Sequence, residues 1–155
     1  MNPVSSNSAS FVKNRYTMKR VTGIGGVFFK TKDPEKMKEW YGRHLGFVTD
    51  QYGGAFEWRQ ADDPQKAGFT AWSPFSENSD YFQPSTRDFM FNYRVENLEK
   101  LLEVLREEGV EVVGEIQTYD YGKFGWIMDP EGNKVELWEP IDQVFTDYYQ
   151  GKTMK

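Results

Sequence analysis

The sequence predicts an α+β domain made of two consecutive βαβββ modules, because a β-rich stretch followed by a capped helix pattern occurs twice. A shift of 64 residues places Asp33 on Asn97, each just before a helix. A shift of 66 residues places the Trp-x-Pro ending at 72–74 on the same ending at 138–140. Since strand, cap, helix and closing strand recur in the same order, we infer two copies of one unit.

The first module begins with a Gly-rich and then apolar stretch, 24–30, which is typical of a strand. Asp33 followed by Pro34 predicts the start of a helix, because Asp accepts hydrogen bonds from free backbone amides and Pro suits the first turn. Gly46 stands where a left-handed C-terminal cap is expected. Turn-forming clusters such as 62–64 then separate two short antiparallel strands, predicted at 55–59 and 69–72.

The second module repeats this order. Residues 89–95 are strand-like, Asn97 caps a helix with a leucine stripe, and Gly109 ends it. Between the modules, 73–87 contains Pro74, Pro84 and many polar residues, which predicts a long connecting loop. The remaining strands are predicted near 110–113, 125–128 and 134–138.

Composition restricts the class of function. The chain has 155 residues, enough for one domain, and no cysteine, so disulfides, thiolate nucleophiles and zinc-thiolate sites are excluded. A net charge of -5 argues against nucleic-acid binding, which requires clustered cations. There is no membrane-spanning apolar run and no secretory signal, so we expect a cytoplasmic protein. The aromatic content of 17% indicates packed rings or a ligand cavity.

Two motifs resemble those of the vicinal-oxygen-chelate superfamily, which contains glyoxalases, bleomycin-resistance proteins and extradiol dioxygenases. Residues 32–35, with Trp40, Tyr41 and 45–47, look like its first-helix signature. Residues 129–139, which read DPEGNKVELWE, look like its closing hairpin and form the more diagnostic motif. The hairpin also has turn chemistry of its own, because Pro130 fixes φ and Gly132 allows positive φ.

The resemblance implies a cup-shaped mixed sheet with its helices on the outer face and a small-molecule site inside. It covers about 21–140, as repeats of about 21–75 and 88–140. Residues 1–20 are then expected to form a flexible N-terminal arm and 141–155 a C-terminal tail. Family members often pair, so we expect a homodimer.

The resemblance also allows a test for a metal site. Metal-dependent relatives hold a cation with inward-facing residues on the first and last strands of each module, here Gly26, Thr70, Met90 and Glu136. Glu136 alone is a good donor, whereas a retained divalent cation needs about three protein donors. We therefore expect no metal, with a divalent cation at Glu136 as the alternative. His44, the single histidine, suits a helix C-terminus and is assigned to structure.

Strand alternation separates a cup face from a helix face. Glu136 lies between Val135 and Leu137, so its side chain is expected to point into the cup as a candidate catalytic acid or base. A mixture of aromatic and polar side chains suits a small-molecule pocket. The predicted ligand-binding residues are Phe28, Lys30, Trp72, Asn92, Arg94, Trp126 and Trp138.

Three functions remain open at this point. The first is binding or sequestration of a small organic molecule, similar to the metal-free bleomycin-resistance branch. The second is a lyase or isomerase of glyoxalase type that uses Glu136, with or without a divalent cation. The third is an interaction module whose loop 73–87 contacts a protein. Alternatively, Lys30, Arg94 and Glu136 neutralise one another at a sheet surface and bind nothing.

Overall fold

The computed structural model describes residues 18–154, so most of the predicted arm, 1–17, lies outside the described residues. The elements follow the predicted order and show two modules followed by a short helix. They are β1 (Val21–Thr31), α1 (Pro34–Leu45), β2 (Thr49–Asp50), β3 (Gly53–Gln60), β4 (Asp63–Ser76), β5 (Phe89–Val95), α2 (Leu98–Glu107), β6 (Val112–Tyr119), β7 (Gly122–Met128), β8 (Lys134–Pro140) and α3 (Asp142–Tyr148).

All eight strands join one mixed sheet in the order β2-β3-β4-β1-β5-β8-β7-β6. The order is symmetric, because the first strand of each module pairs in parallel with its closing strand, β1 with β4 and β5 with β8. The modules meet where β1 and β5 run antiparallel. The α+β prediction with two βαβββ modules is therefore confirmed.

The predicted helix signals have the expected geometry. Asp33 accepts a hydrogen bond from the Lys36 amide at 3.1 Å, and Asn97 accepts one from the Lys100 amide at 3.2 Å. Gly46 ends α1 in the left-handed region at φ 70°. Equivalent caps thus start both helices, as the repeat predicted.

The predicted loop at 73–87 is wrong at its start, because β4 continues to Ser76. Phe29 of β1 pairs with Pro74 of β4, whereas the pairing of β3 with β4 stops at Trp72. Residues after Trp72 therefore have one neighbouring strand, and proline is tolerated at such an edge because one side needs no amide donor. The connection that remains, 77–88, carries Phe82, which is fully buried.

The two faces of the sheet bury two separate apolar clusters. Leu98, Leu101 and Leu102 of α2 pack on Val95 and Leu137 on the helix face. On the opposite face, Phe28, Phe82, Met90 and Trp126 form the second cluster. The alternation predicted for β1, β5 and β8 therefore holds, and the second face is the one that contains the site.

No helix within residues 18–154 is long and apolar enough to cross a membrane. The segment after β8 folds back onto the domain. Phe145 of α3 meets the Trp138 ring at 5.1 Å, and the Met154 amide donates to the Ala55 carbonyl at 2.9 Å. Residues 142–149 therefore pack over the face that carries the second cluster, and Met154 pairs with β3.

Candidate functional site

The face opposite α1 and α2 encloses a cavity of about 550 Å³, which we call the cup. Its lining includes Gly54 near one end of the sheet and Tyr119 on β6 at the other. Strands so far apart can border one cavity only if the sheet curls around it. The aromatic residues that line it are Phe28, Tyr52, Phe75, Tyr81, Tyr119, Tyr121, Phe124, Trp126, Trp138, Phe145 and Tyr149.

Glu136 of β8 forms part of the cup lining and is only 2% exposed. Its Oε1 accepts a hydrogen bond from Asn92 Nδ2 at 2.7 Å, and its Oε2 accepts one from Trp126 Nε1 at 2.8 Å. The Tyr81 hydroxyl also donates to Oε2. Three donors converge on one carboxylate, which favours its ionised form, but burial outweighs them and raises the pKa of Glu136 above its ordinary range.

The surroundings of the carboxylate determine the protonation of its neighbours. Burial, and then the Glu136 charge, raise the pKa of the Tyr81 phenol, so Tyr81 stays protonated and acts as a donor. Lys134 donates from Nζ to the Tyr81 carbonyl at 2.8 Å and lies 5.3 Å from the Tyr81 and Trp126 ring centroids. Burial lowers the pKa of Lys134, while the Glu136 charge opposes that shift.

Gly25 allows Asn92 to reach the carboxylate. A Cβ atom at Gly25 would lie 2.1 Å from Asn92 Oδ1 and 3.0 Å from Trp138 Cε3. Any larger residue there would displace the amide that bonds Glu136. The Gly-rich start of β1, which the sequence analysis interpreted as strand only, therefore has a role in packing the site.

The structure brings five of the eight predicted site residues together at the cup. They are Phe28, Asn92, Trp126, Glu136 and Trp138. Tyr119, Tyr121 and Phe124, which precede the predicted Trp126, also line the cup. Lys123 instead forms an ion pair with Glu99 on α2 at 3.0 Å.

Trp72 does not line the cup, which corrects its prediction as a ligand-binding residue. It pairs with Val27 and so shares the helix face. Its ring lies 4.8 Å from Tyr41 of α1 and 4.9 Å from Phe47. Although Trp72 and Trp138 occupy the same place in the Trp-x-Pro repeat, β4 and β8 present them to opposite faces of the sheet.

Arg94 and Lys30 are on the cup face but outside the cavity. Arg94 is 3% exposed, bonds Asp142 Oδ2 through Nη2 at 2.6 Å, and lies between the Trp58 and Trp138 rings. It borders a second cavity of about 570 Å³. Lys30 Nζ lies 5.6 Å from the Phe82 ring centroid. Neither cation bonds Glu136, so the three charges do not form the mutual network considered as an alternative.

Tyr81, Phe145 and Tyr149 also line the cup, although the sequence did not predict them. Tyr81 lies in the connection after β4, and its ring stacks on Phe75 at 5.6 Å. Phe145 and Tyr149 follow the closing hairpin, in the predicted tail. Two features of the sequence could have pointed to them. One is the Tyr-Phe pair at 81–82 in an otherwise polar connection, and the other is the group of aromatic residues at 145, 148 and 149 together with Tyr121. Neither feature shows on which face of the sheet the segment packs.

The residues at the family's metal positions do not fit a divalent cation. Met90 is fully buried in the apolar cluster. The Thr70 hydroxyl donates to the Ile24 carbonyl at 2.5 Å and accepts from Trp58 Nε1 at 2.9 Å, so it is already committed. Both oxygens of Glu136 accept from protein donors. Within residues 18–154, no three His, Asp or Glu side chains group as metal ligands would.

Comparison with protein families agrees with this fold. Residues 23–137 match the model of the Glyoxalase/Bleomycin resistance protein/Dioxygenase superfamily. The chain belongs to this superfamily. The matched range ends inside β8, so α3 and the segment after it lie outside the matched residues. No curated protein matches the sequence.

Solved structures with the same fold include two methylmalonyl-CoA epimerases. The Mycobacterium tuberculosis enzyme is 23% identical, with a TM-score of 0.55 over 83% of this chain and 94% of its own. A Streptomyces coelicolor enzyme variant, in complex with 2-nitronate-propionyl-CoA, is 15% identical, with a TM-score of 0.58 over 78% of this chain and 99% of its own. At these identities the likeness supports the fold alone.

Proposed function

We propose that this superfamily member binds a small, planar organic cation in the cup without a divalent metal. The observation that carries the proposal is a cavity with aromatic walls and one buried carboxylate, Glu136, in its lining. Its volume of about 550 Å³ suits a compact molecule of one or two rings. A cation fits because aromatic faces and a carboxylate both attract positive charge.

The protonation state of Glu136 supports a cationic ligand in particular. Burial raises its pKa, so without a ligand the carboxylate ionises at a cost. Lys134 stands behind the Tyr81 and Trp126 rings and does not bond Glu136 directly. A cation in the cup supplies the missing positive charge and stabilises the ionised form. Binding is therefore expected to tighten as pH rises through the pKa of Glu136.

The test is a tryptophan fluorescence titration with N-methylquinolinium, using neutral quinoline at pH 8 as the uncharged match. Trp126 and Trp138 line the cup, so a bound ring quenches them. We expect saturable quenching with the cation that EDTA does not alter, and weaker binding of quinoline. Glu136→Gln should weaken cation binding about 10- to 100-fold, since a buried charged contact contributes about 1.5–3 kcal/mol. The exposed control Glu131→Gln should bind like the wild type.

The proposal is wrong if quinoline binds as tightly as the cation in the wild type, or if Glu136→Gln leaves the cation affinity unchanged. Loss of quenching after EDTA would instead show that a metal takes part. Near-ultraviolet circular dichroism of both variants would confirm that their tertiary packing is intact.

A second candidate is a metal-independent lyase or isomerase in which Glu136 transfers a proton. A carboxyl group in a cavity with a raised pKa suits a general acid or base. The Tyr81 hydroxyl would orient the carboxylate. The full occupation of both carboxylate oxygens by protein donors counts against this function, because a base must release one of them to reach a substrate proton.

Proton transfer can be measured directly with methylmalonyl-CoA, the compound that appears in the names of the epimerases with the same fold. Incubation in D₂O with the wild type and Glu136→Gln, followed by mass spectrometry, would detect exchange at the carbon between its two carbonyl groups. Incorporation of one deuteron that depends on Glu136 would favour the enzyme. No incorporation above the Glu136→Gln level would leave binding as the better account.

A further inference from the structure

The segment after β8 supplies a wall of the cup. The family match ends at residue 137, yet Phe145 and Tyr149 line the same cavity as Glu136. The Phe145 ring lies 5.1 Å from Trp138 and 6.1 Å from Tyr121. Its other neighbour, Phe69, lies 5.9 Å away on β4. The α3 segment therefore bridges the two modules above the sheet.

The same helix separates the cup from the second cavity of about 570 Å³. Phe145 and Tyr149 face the cup, whereas Asp142, Gln143 and Thr146 border the second cavity. Trp138 reaches both sides, since it lines the cup and lies 5.4 Å from the Arg94 guanidinium. The α3 side chains therefore lie between the two cavities.

Besides its aromatic contacts, α3 is attached by polar contacts that are incomplete. No residue of α3 is fully buried, and the helix begins without a side-chain cap. Asp142 holds it through Arg94 Nη2 at 2.6 Å and Gln60 Nε2 at 3.2 Å. Within the described part of the chain, Arg94 Nε, Arg94 Nη1 and Asp142 Oδ1 are buried without a hydrogen-bond partner. Opening would let water satisfy these atoms, which lowers the cost of moving α3.

Further contacts tether the segment at its other end. The Tyr148 hydroxyl donates to Asp50 Oδ2 at 2.8 Å, and Met154 forms a parallel bridge with Phe56 on β3. Buried Thr153 and Met154 anchor this end more firmly than α3 itself is held. The segment stays joined to β8 at one end and anchored at 153–154 at the other, so α3 can move outward without leaving the protein once the Phe145 ring and the Asp142 ion pair release it.

We propose that α3 is a movable wall of the cup, latched by the Arg94–Asp142 ion pair, and that Phe145 determines how large a ligand the cup accepts. This inference rests on the proposed binding of planar cations and adds the size limit. With the wall closed, the cup accepts compact cations of one or two rings. Larger ring systems require that Phe145 be displaced.

The size limit is tested with N-methylpyridinium, which has one ring, and proflavine, which has three, in the full-length protein. The wild type is expected to bind N-methylpyridinium more tightly than proflavine. Phe145→Ala removes the α3 ring that lines the cup and should shift the affinity ratio toward proflavine by about 10-fold or more. Val144→Ala, the exposed neighbour in α3, is the matched control and should keep the wild-type ratio.

The outcomes separate this inference from the proposed function. If the wild type binds the probes and Phe145→Ala keeps their ratio, or weakens both equally, the size limit is wrong and the binding function stands. If the wild type binds neither probe, both proposals are wrong. A shift toward proflavine in Phe145→Ala, but not in the wild type or in Val144→Ala, supports the proposal that Phe145 sets the size limit.

Hydrogen exchange tests the latch without any ligand. Asp142→Asn removes the charge that holds Arg94, so amide exchange at 142–149 should accelerate while β1 and β5 keep their wild-type rates. Asp147→Asn, on the exposed side of α3, is the matched control. Unchanged exchange at 142–149 in Asp142→Asn would show that the ion pair is not a latch, and acceleration in both variants would show a general loosening of α3.

Discussion

Replacing Glu136 with Gln is expected to change how the stability of the protein depends on pH. Burial raises the pKa of Glu136 in the folded state above its ordinary value of 4.5. At pH values between 4.5 and the folded-state pKa, the folded protein keeps a proton that the unfolded chain has released, so the free energy of unfolding falls as pH rises. Across that window the wild type should lose about 1.4 kcal/mol per pH unit relative to Glu136→Gln, which carries no such proton.

Urea unfolding of both proteins between pH 4 and pH 8 measures this difference. The stability contribution is fully present below pH 4.5 and is lost as pH rises through the folded-state pKa. Glu131→Gln, in the exposed hairpin turn, should follow the wild type at every pH. A difference between wild type and Glu136→Gln that is constant, or that grows in favour of the wild type with pH, would contradict the burial argument.

Phe82→Ala is expected to cause a large loss of stability, because Phe82 belongs to the buried cluster next to the cup. The ring is fully buried beneath the 77–88 connection and lies 5.1 Å from Phe75. It packs in one cluster with Phe28, Met90 and Trp126. Removing a buried phenylalanine ring from such a cluster costs about 3–5 kcal/mol, because both transfer energy and packing contacts are lost.

Chemical denaturation of Phe82→Ala and Phe89→Ala would test this expectation. Phe89 is 37% exposed on β5, so its replacement should cost much less. Since Tyr81 precedes Phe82 and bonds Glu136, loosening the connection should also weaken ligand binding. Equal losses of stability in the two variants would show that the connection does not form part of the core.

The repeated local signals were sufficient to predict the modules. Asp33 and Asn97 cap helices through hydrogen bonds three residues away, and such short-range geometry follows from residue type and spacing. Alternation likewise placed Glu136, Asn92 and Met90 on the cup face, because each strand keeps a period of two. Trp72 failed because its register against β1, which determines its face, depends on pairing between distant strands.

The parts of the site that sequence could not predict come from segments that cross the sheet. Tyr81 reaches Glu136 across 55 positions of the chain. Asp142 similarly removes Arg94 from the cup by an ion pair across 48 positions. No periodic pattern in the sequence encodes these long-range contacts, because they depend on how a connection or a tail packs over the completed sheet. The predicted cup was therefore correct in its strands and incomplete in its walls.

The central claim, a cup that binds an organic ligand without a metal, is tested most directly by the melting temperature of chelator-stripped protein. The wild type and Glu136→Gln would be titrated with Ni²⁺, Co²⁺, Mn²⁺, Zn²⁺ and Mg²⁺ and, in parallel, with N-methylquinolinium, because a ligand of the folded state raises the melting temperature. We predict a saturable rise with the organic cation and none with the metals. A saturable rise with one metal ion that Glu136→Gln abolishes would contradict the account and assign Glu136 to a metal site.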